Sequence, residues 1–327
     1  MAVIELDMSV DDVANTRLAR SPLWEVTGSL RVLKEPREHP GHAWWVAQTV
    51  PRLKAANLDL GLLSDLVPVP TRVLPAFLAP PPCVTGPDLG TELARLAALP
   101  PDRIREGVTM LPGEPTTRLA ALRDDPERWI PELVETIQRY WDVALAPYWP
   151  RIKTLCDSDI TYRARRLAEG GAARLFADLS DQVSWHSGRL TIRSDFERSL
   201  ALGGRGLLLV PSVFIGTRVF SVVNEHWQPT VRYPPRGLAM LWSQGAPPVP
   251  AALAEVIGRS RAAILAALVT PQSTTDLALH CDLSPGAVSQ HLRLMHSAGL
   301  VARHRDGRYV LYSRSDSAEA LLAAAES

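Results

Sequence analysis

The chain has 327 residues, too many for one ordinary domain and enough for two with cores of their own. An apolar fraction of 46% excludes a disordered chain. Basic and acidic residues balance at 35 each, so there is no global positive field, and any nucleic-acid surface must be a local patch.

The opening "MAVIELDMSV" carries acids and lacks a basic n-region, so it does not read as a signal peptide. "VIEL" reads as a short strand, after which Ser9 caps a helix with Asp12 three positions on. A second helix is expected from Pro22 and a third near Gly41, carrying Trp44 and Trp45. Seven prolines in residues 67–90 remove ladder donors and break helices, so this stretch is expected to be irregular. From Thr91 to Ser180 the pattern is mostly helical, punctuated by Pro112, Pro115, Pro126, Pro147 and Gly170-Gly171. "VSWHSGRLTI" then changes period to two around a His-Ser-Gly turn, as a hairpin does, and "GLLLVPSVF", "RVFSVV" and "TVRYP" continue as strands. No stretch in this half is long and apolar enough to span a bilayer. "QGAPPVPAAL" (244–253) has linker composition.

Beyond it, "AALAEVIGRSRAAILAALV" is expected to be one helix and "TTDLALH" a short second one, followed by the tight turn "CDL". Ser284 caps the next helix with Pro285 at its first position, and Gly299 ends it. Two strands follow around Asp306-Gly307, a strong hairpin signal, and "DSAEALLAAAE" closes as a helix.

The capped helix has two distinct faces. Val288, Leu292 and Met295 fall on a buried stripe, whereas Gly286, Ser289, Gln290 and Arg293 form a small, polar face. A major groove admits such a helix when residues near its N-terminus are small, and Ser and Gln supply donors and acceptors for base edges or phosphates. The plain alternative is a solvated face; the order of short helix, turn, capped helix and charged hairpin argues instead for a winged helix-turn-helix. With Asp306-Gly307 as the turn, Arg305 is expected to face Arg308, with Arg303 and His304 before them. An anion between the two would relieve their repulsion. From Ser284 to Arg314 the chain has five arginines and one acid.

"LSPGAVSQHLRLMHSAGLV" followed by "RHRDGRYVLYS" resembles the recognition pattern of the arsenic-repressor-type (ArsR) family of bacterial regulators, over about residues 255–325. The resemblance implies a homodimer, built from the first and last helices of the module, on a palindromic double-stranded DNA operator. On the matching positions it implies DNA contact by Ser284, Ser289, Gln290 and Arg293, with Arg305 and Arg308 in the wing. Many relatives sense metal through a Cys-x-Cys pair. Here Leu279 replaces the first cysteine, leaving Cys281 beside His280, two donors where a soft-metal site needs three or four. "HPGH" places His39 and His42 about a turn and reads more simply as surface histidines. No metal and no cofactor are therefore expected. The three cysteines, Cys83, Cys156 and Cys281, lie far apart and read as reduced thiols of a cytoplasmic protein.

For the region ahead of the linker three readings stand. It is a domain sensing a small-molecule effector or partner, a catalytic domain fused to a regulator, or a scaffold. All nine tryptophans precede the linker and suit either a pocket or cores. Against catalysis, no Ser-His-acid spacing, P-loop or dinucleotide fingerprint is present, and His186 and Ser187 are neighbours on a turn. "CDSDITYRARR" is expected to form i, i+4 ion pairs. The expected class is mainly α with small β elements (α+β): a large α+β domain (1–243), a linker (244–253), and a winged helix-turn-helix (254–327) that binds DNA and dimerises. The expected function is a non-enzymatic, cytoplasmic transcriptional repressor without membrane association. A catalytic fusion and a metal-responsive repressor are the alternatives.

Overall fold

The computed structural model describes residues 2–70, 73–216, 218–223, 227–238, 241–242, 249–268, 272–274, 277–278, 281–306 and 309–326, with the backbone alone at 304–306, 309 and 326. It is mainly helical with small sheets, an α+β chain. Two compact units divide it, Met1–Pro235 and Arg236–Ser327.

The larger unit begins with β1 (Ala2–Asp7) and α1 (Val10–Ala14), where Ser9 and Asp12 form a reciprocal capping box. Asp12 also accepts from the Gly206 amide at 3.0 Å, fixing this turn to a loop far along the chain. After β2 (Arg17–Leu18), α2 (Pro22–Lys34) starts at an N-cap serine, Ser21, with proline at its first position. Every residue from Pro22 to Leu30 is buried, so this helix is central. It packs against α3 (Ala43–Ala55), α5 (Leu89–Ala97) and α8 (Pro126–Ala144). Between α3 and α5 lie α4 (Gly61–Asp65) and the proline-rich stretch, which holds only a 3-10 turn among its described residues. α6 (Pro101–Thr109) and α7 (Thr117–Asp124) complete the helical layer. Trp45 is fully buried, its indole donating to the Ala144 carbonyl at 3.0 Å, and Ser29 bonds the Tyr140 hydroxyl at 2.8 Å.

The long α9 (Trp149–Phe176) is interrupted at Gly170-Gly171, where Gly171 has φ 64°. Beyond that break its apolar residues Leu175 and Phe176 join the core formed by two sheets. One sheet runs β3 (Val183–His186), β4 (Arg189–Ser194), β1, β5 (Arg198–Ala201), and only β1 and β5 run parallel. The β3–β4 register sets His186 opposite Arg189, with the turn at Ser187 (φ 48°) and Gly188 (φ 84°), both in the left-handed region that such hairpins need. The other sheet runs β2, β6 (Leu208–Pro211), β8 (Thr230–Tyr233), β7 (Phe220–Val222). The strand expected through "GLLLVPSVF" ends at Pro211, and Val213–Ile215 form a 3-10 turn instead.

Acidic residues of "CDSDITYRARR" do more than the expected local pairing. Asp159 pairs with Arg163 one turn away at 3.6 Å and accepts from the Tyr233 hydroxyl at 2.7 Å. Asp157 binds Arg20 and Lys153. His42, expected at the surface, is buried, because its ring stacks on Phe214 with centroids 4.8 Å apart; burial lowers its pKa to about 4.

In the smaller unit the expected first helix is two, α10 (Ala251–Ile257) and α11 (Arg259–Ala267). Gly258 between them has φ 86°, which no helix continues. α10 starts inside the stretch of linker composition, part of which lies outside the described residues. So does much of the expected helix at 274–280. Then come α12 (Pro285–Ser297), β10 (Val301–Asp306), β11 (Tyr309–Arg314) and α13 (Asp316–Glu326). A short strand, β9 (Gln272–Ser273), pairs with β11. Leu265, Val288, Leu292, Met295, Val301 and Leu322 belong to one core.

Glu92 ties α5 to the start of α2, accepting from Ser21 Oγ at 2.6 Å and the Leu23 amide at 2.8 Å. Burial pushes its pKa up to about 7 from 4.5. Between those values the folded chain holds a proton that the unfolded chain releases, so this carboxyl lowers stability as pH rises through the window. We expect Glu92→Gln to remove a loss on the order of 3 kcal/mol between pH ~4.5 and ~7. Urea unfolding of both chains at pH 4.5 and 8, followed by tryptophan fluorescence, measures the difference; parallel pH profiles would show that Glu92 does not titrate there.

Candidate functional site

The first candidate surface is α12. Ser284 (φ −70°, ψ 146°) accepts from the Ala287 amide at 3.2 Å, and Pro285 takes the position where a missing amide costs nothing. At the other end Gly299 (φ 72°) donates to His296, and Leu300 donates to Met295 at 2.8 Å. These two bonds close the helix in a Schellman motif and aim the chain into β10. Between the caps, Val288 and Leu292 are fully buried and Met295 nearly so.

The opposite face carries the expected residues. Ser284, Gly286, Gln290 and Arg293 are exposed and Ser289 is half-buried. A Cβ on Gly286 would meet no atom of the described residues within 4 Å, so none of them crowds the start of this face. Arg303 is exposed on β10, opposite the buried Tyr312. The hairpin register differs from the expected one: Asp306 pairs with Tyr309, and Arg305 stands opposite Val310 rather than Arg308. Arg308 and the side chain of Arg305 lie outside the described residues. Shifting the register by two residues keeps every side chain on its face, so alternation alone did not choose between the two pairings.

Arg314, counted with the basic hairpin in the sequence, turns inward. It donates to the carbonyls of Leu265 (2.7 Å) and Ala266 (2.6 Å) at the end of α11 and reaches Glu319 at 3.2 Å. A cation on the last carbonyls of a helix is a structural cap. Cys281 is half-buried against the same core, and burial raises its thiol pKa.

The second candidate is a cavity of about 890 Å³ in the larger unit. Trp24, Thr27, Gly28 and Arg31 line it from α2, at the 3-and-4 spacing that defines one helix face, and Glu35 follows at its C-cap. Phe214 and Ile215 of the 3-10 turn, Phe220, Ser221 and Val222 of β7, and Arg232 of β8 form another wall. The proline-rich segment adds Val73, Leu74 and Pro75. Two exposed apolar side chains, Met110 and Phe196, also line it.

Beside the cavity lie two buried ionisable side chains that the sequence reading missed, Glu25 and Arg232. Glu25 accepts from the Val213 amide at 3.1 Å and the Phe214 amide at 3.3 Å, and burial raises its pKa. Arg232 donates to the Trp24 carbonyl and to Ser212 Oγ, and burial lowers its pKa to about 10, which leaves it charged at neutral pH. A Cβ on Gly28 would lie 2.6 Å from Arg232 Nη2 and 2.9 Å from the Phe214 carbonyl, so only glycine admits this approach. The signal that could have found the pair is a lone acid within the apolar run "PLWEVTGSL" and a lone base within the strand "TVRYP".

The tryptophans mostly pack. Trp141 and Trp149 meet edge to face, Trp44 does so with Tyr148, and Trp185 stacks on Phe176; of the nine, Trp24 lines the cavity. Among the described residues no three metal-binding side chains converge, and no helix is long and apolar enough to cross a membrane.

A capped helix with a small polar face, seated on the core beside an antiparallel hairpin, defines the smaller unit as a winged helix-turn-helix. Residues 260–303 match the model described as bacterial regulatory protein, arsR family; that module makes the chain a DNA-binding transcription regulator. Residues 113–238 match a family of unknown function (DUF5937). No curated protein and no solved structure matches the chain.

Replacing Gly299 with Ala forces a side chain into φ 72° at the end of α12. We expect a loss of about 1 kcal/mol in the smaller unit, read as lower amide-exchange protection across residues 292–303. Unchanged protection would show that the motif does not hold this end of the helix.

Proposed function

We propose that the chain is a transcriptional repressor that binds a palindromic operator as a homodimer and is controlled by a small-molecule effector. Residues 1–243 take the effector, 244–253 connect, and 254–327 bind DNA and dimerise. The observation that carries the reading is the exposed, small and polar face of α12 above a buried apolar stripe. Ser289 and Gln290 are assigned to base edges and Ser284 and Gly286 to close approach. Arg293, Arg303, Arg305 and Arg308 are assigned to phosphates. Half-sites then lie one helical turn, about 34–36 Å, apart. The arsR-type match supports regulation, and the large cavity supports an effector. An effector acts by binding two states of the protein with different affinity. No cofactor or membrane enters this reading, and the protein works in the cytoplasm.

A second reading, a catalytic larger unit, has one observation in its favour: Glu35, Glu38 and His39 stand on the wall of the cavity. Chemical conversion of a bound compound, lost in Glu38→Gln, would separate it from sensing.

Sequencing the genomic fragments retained by the purified chain tests the main reading; enrichment of a palindrome is expected, and retention of none at low salt sinks it. Replacing Arg305 and Arg308 with Ala should weaken binding to all DNA and flatten the salt slope by about 2. An unchanged slope would remove the hairpin from the contact set. Gln290→Ala should relax base preference at one position of each half-site, by about 1–3 kcal/mol of discrimination. A uniform loss across sequences would make Gln290 a backbone contact.

A further inference from the structure

Resting on the reading of the larger unit as the sensing half, we propose that its cavity takes an organic anion: an acid group on an apolar body, the acid held by Arg232. Arg232 is 6% exposed and lines the cavity. Its bonds go to a carbonyl and a hydroxyl, both neutral. Among the described residues no carboxylate lies within ion-pair distance of it, and its buried Nε–H has no acceptor. Glu25 attracts it through space and offsets part of the cost of its burial, but the Glu25 oxygens are taken by the Val213 and Phe214 amides and make no contact with the guanidinium. A buried guanidinium without a contacting anion is costly, and an anion entering beside it gains a charge-assisted bond where dielectric screening is weak.

The other charges on the wall do not reverse this. Arg31 and Glu35 are half-buried and opposite in sign, and Glu38 and Glu197 are exposed, as are Arg198 and Arg218, so water screens them more than it screens the floor. The apolar body has matching walls in Trp24, Leu74, Phe214 and Val222. A cavity of about 890 Å³ admits a molecule of two or three rings or a medium acyl chain.

Two fluorescent probes of one skeleton test the proposal on the full chain: 8-anilinonaphthalene-1-sulfonate, and N-phenyl-1-naphthylamine, which lacks the sulfonate. We expect saturable binding of the sulfonate at least about ten-fold tighter than that of the neutral probe. Arg232→Gln should abolish that preference and leave the neutral probe bound, and Ser221→Trp, which fills the cavity from β7, should weaken both. Equal affinities in the unaltered chain, or a preference that survives Arg232→Gln, overturn the proposal. So does the absence of saturable sulfonate binding. Should Arg232→Gln not fold, decanoate and decan-1-ol compete against the neutral probe in the unaltered chain; decanoate must displace it at about ten-fold lower concentration, and equal displacement overturns the proposal. Retention of genomic fragments is measured alongside. Fragments retained without anion binding sink the anion site alone, whereas anion binding that leaves retention unaltered sinks the control reading alone.

Discussion

A guanidinium buried in the middle of a sheet ties together three elements of the larger unit. Arg232 must find acceptors where water is excluded, and it finds them on α2 and on the segment after β6. Glu25, one residue beyond the carbonyl that Arg232 uses, satisfies the amides of the 3-10 turn from the opposite direction. Helix, turn and strand are therefore held together by polar groups that cannot be left unpaired without cost. The approach is close enough that position 28 has to be glycine. The same face of α2, with Trp24, Thr27, Gly28 and Arg31, borders the cavity.

What could be read from the residues was what adjacent residues decide. The Ser9–Asp12 box, the Ser284-Pro285 start, the Gly299 end and the turn at Ser187-Gly188 all formed where expected, because each depends on atoms within three or four positions. Where two local solutions were equivalent, the residues did not choose. The β10–β11 register moved by two residues, and composition favoured a helix straight through Gly258 that the backbone breaks.

The candidate sites divide in the same way. The α12 face was legible, since a 3.6-residue period separates Val288, Leu292 and Met295 from Gly286, Ser289, Gln290 and Arg293 without reference to the rest of the fold. The cavity was not. Its wall joins residues from α2, the proline-rich segment, β7 and β8, separated by as many as 208 positions, and no spacing rule connects Glu25 to Val213 or Trp24 to Arg232. Arg314 was miscounted for a related reason. In sequence it belongs to a basic run, and in space it closes the end of α11.

The break at Gly258 has a mechanical consequence. α10 packs on α13, and its Val256 is 78% exposed, while α11 packs on α12 beneath the polar face. An unbroken rod would force any tilt of α10 upon α11 and so upon α12. A single residue at positive φ ends that rod after Ile257, so α10 rests on α13 and α11 on α12, two helices of one core that need not share an axis.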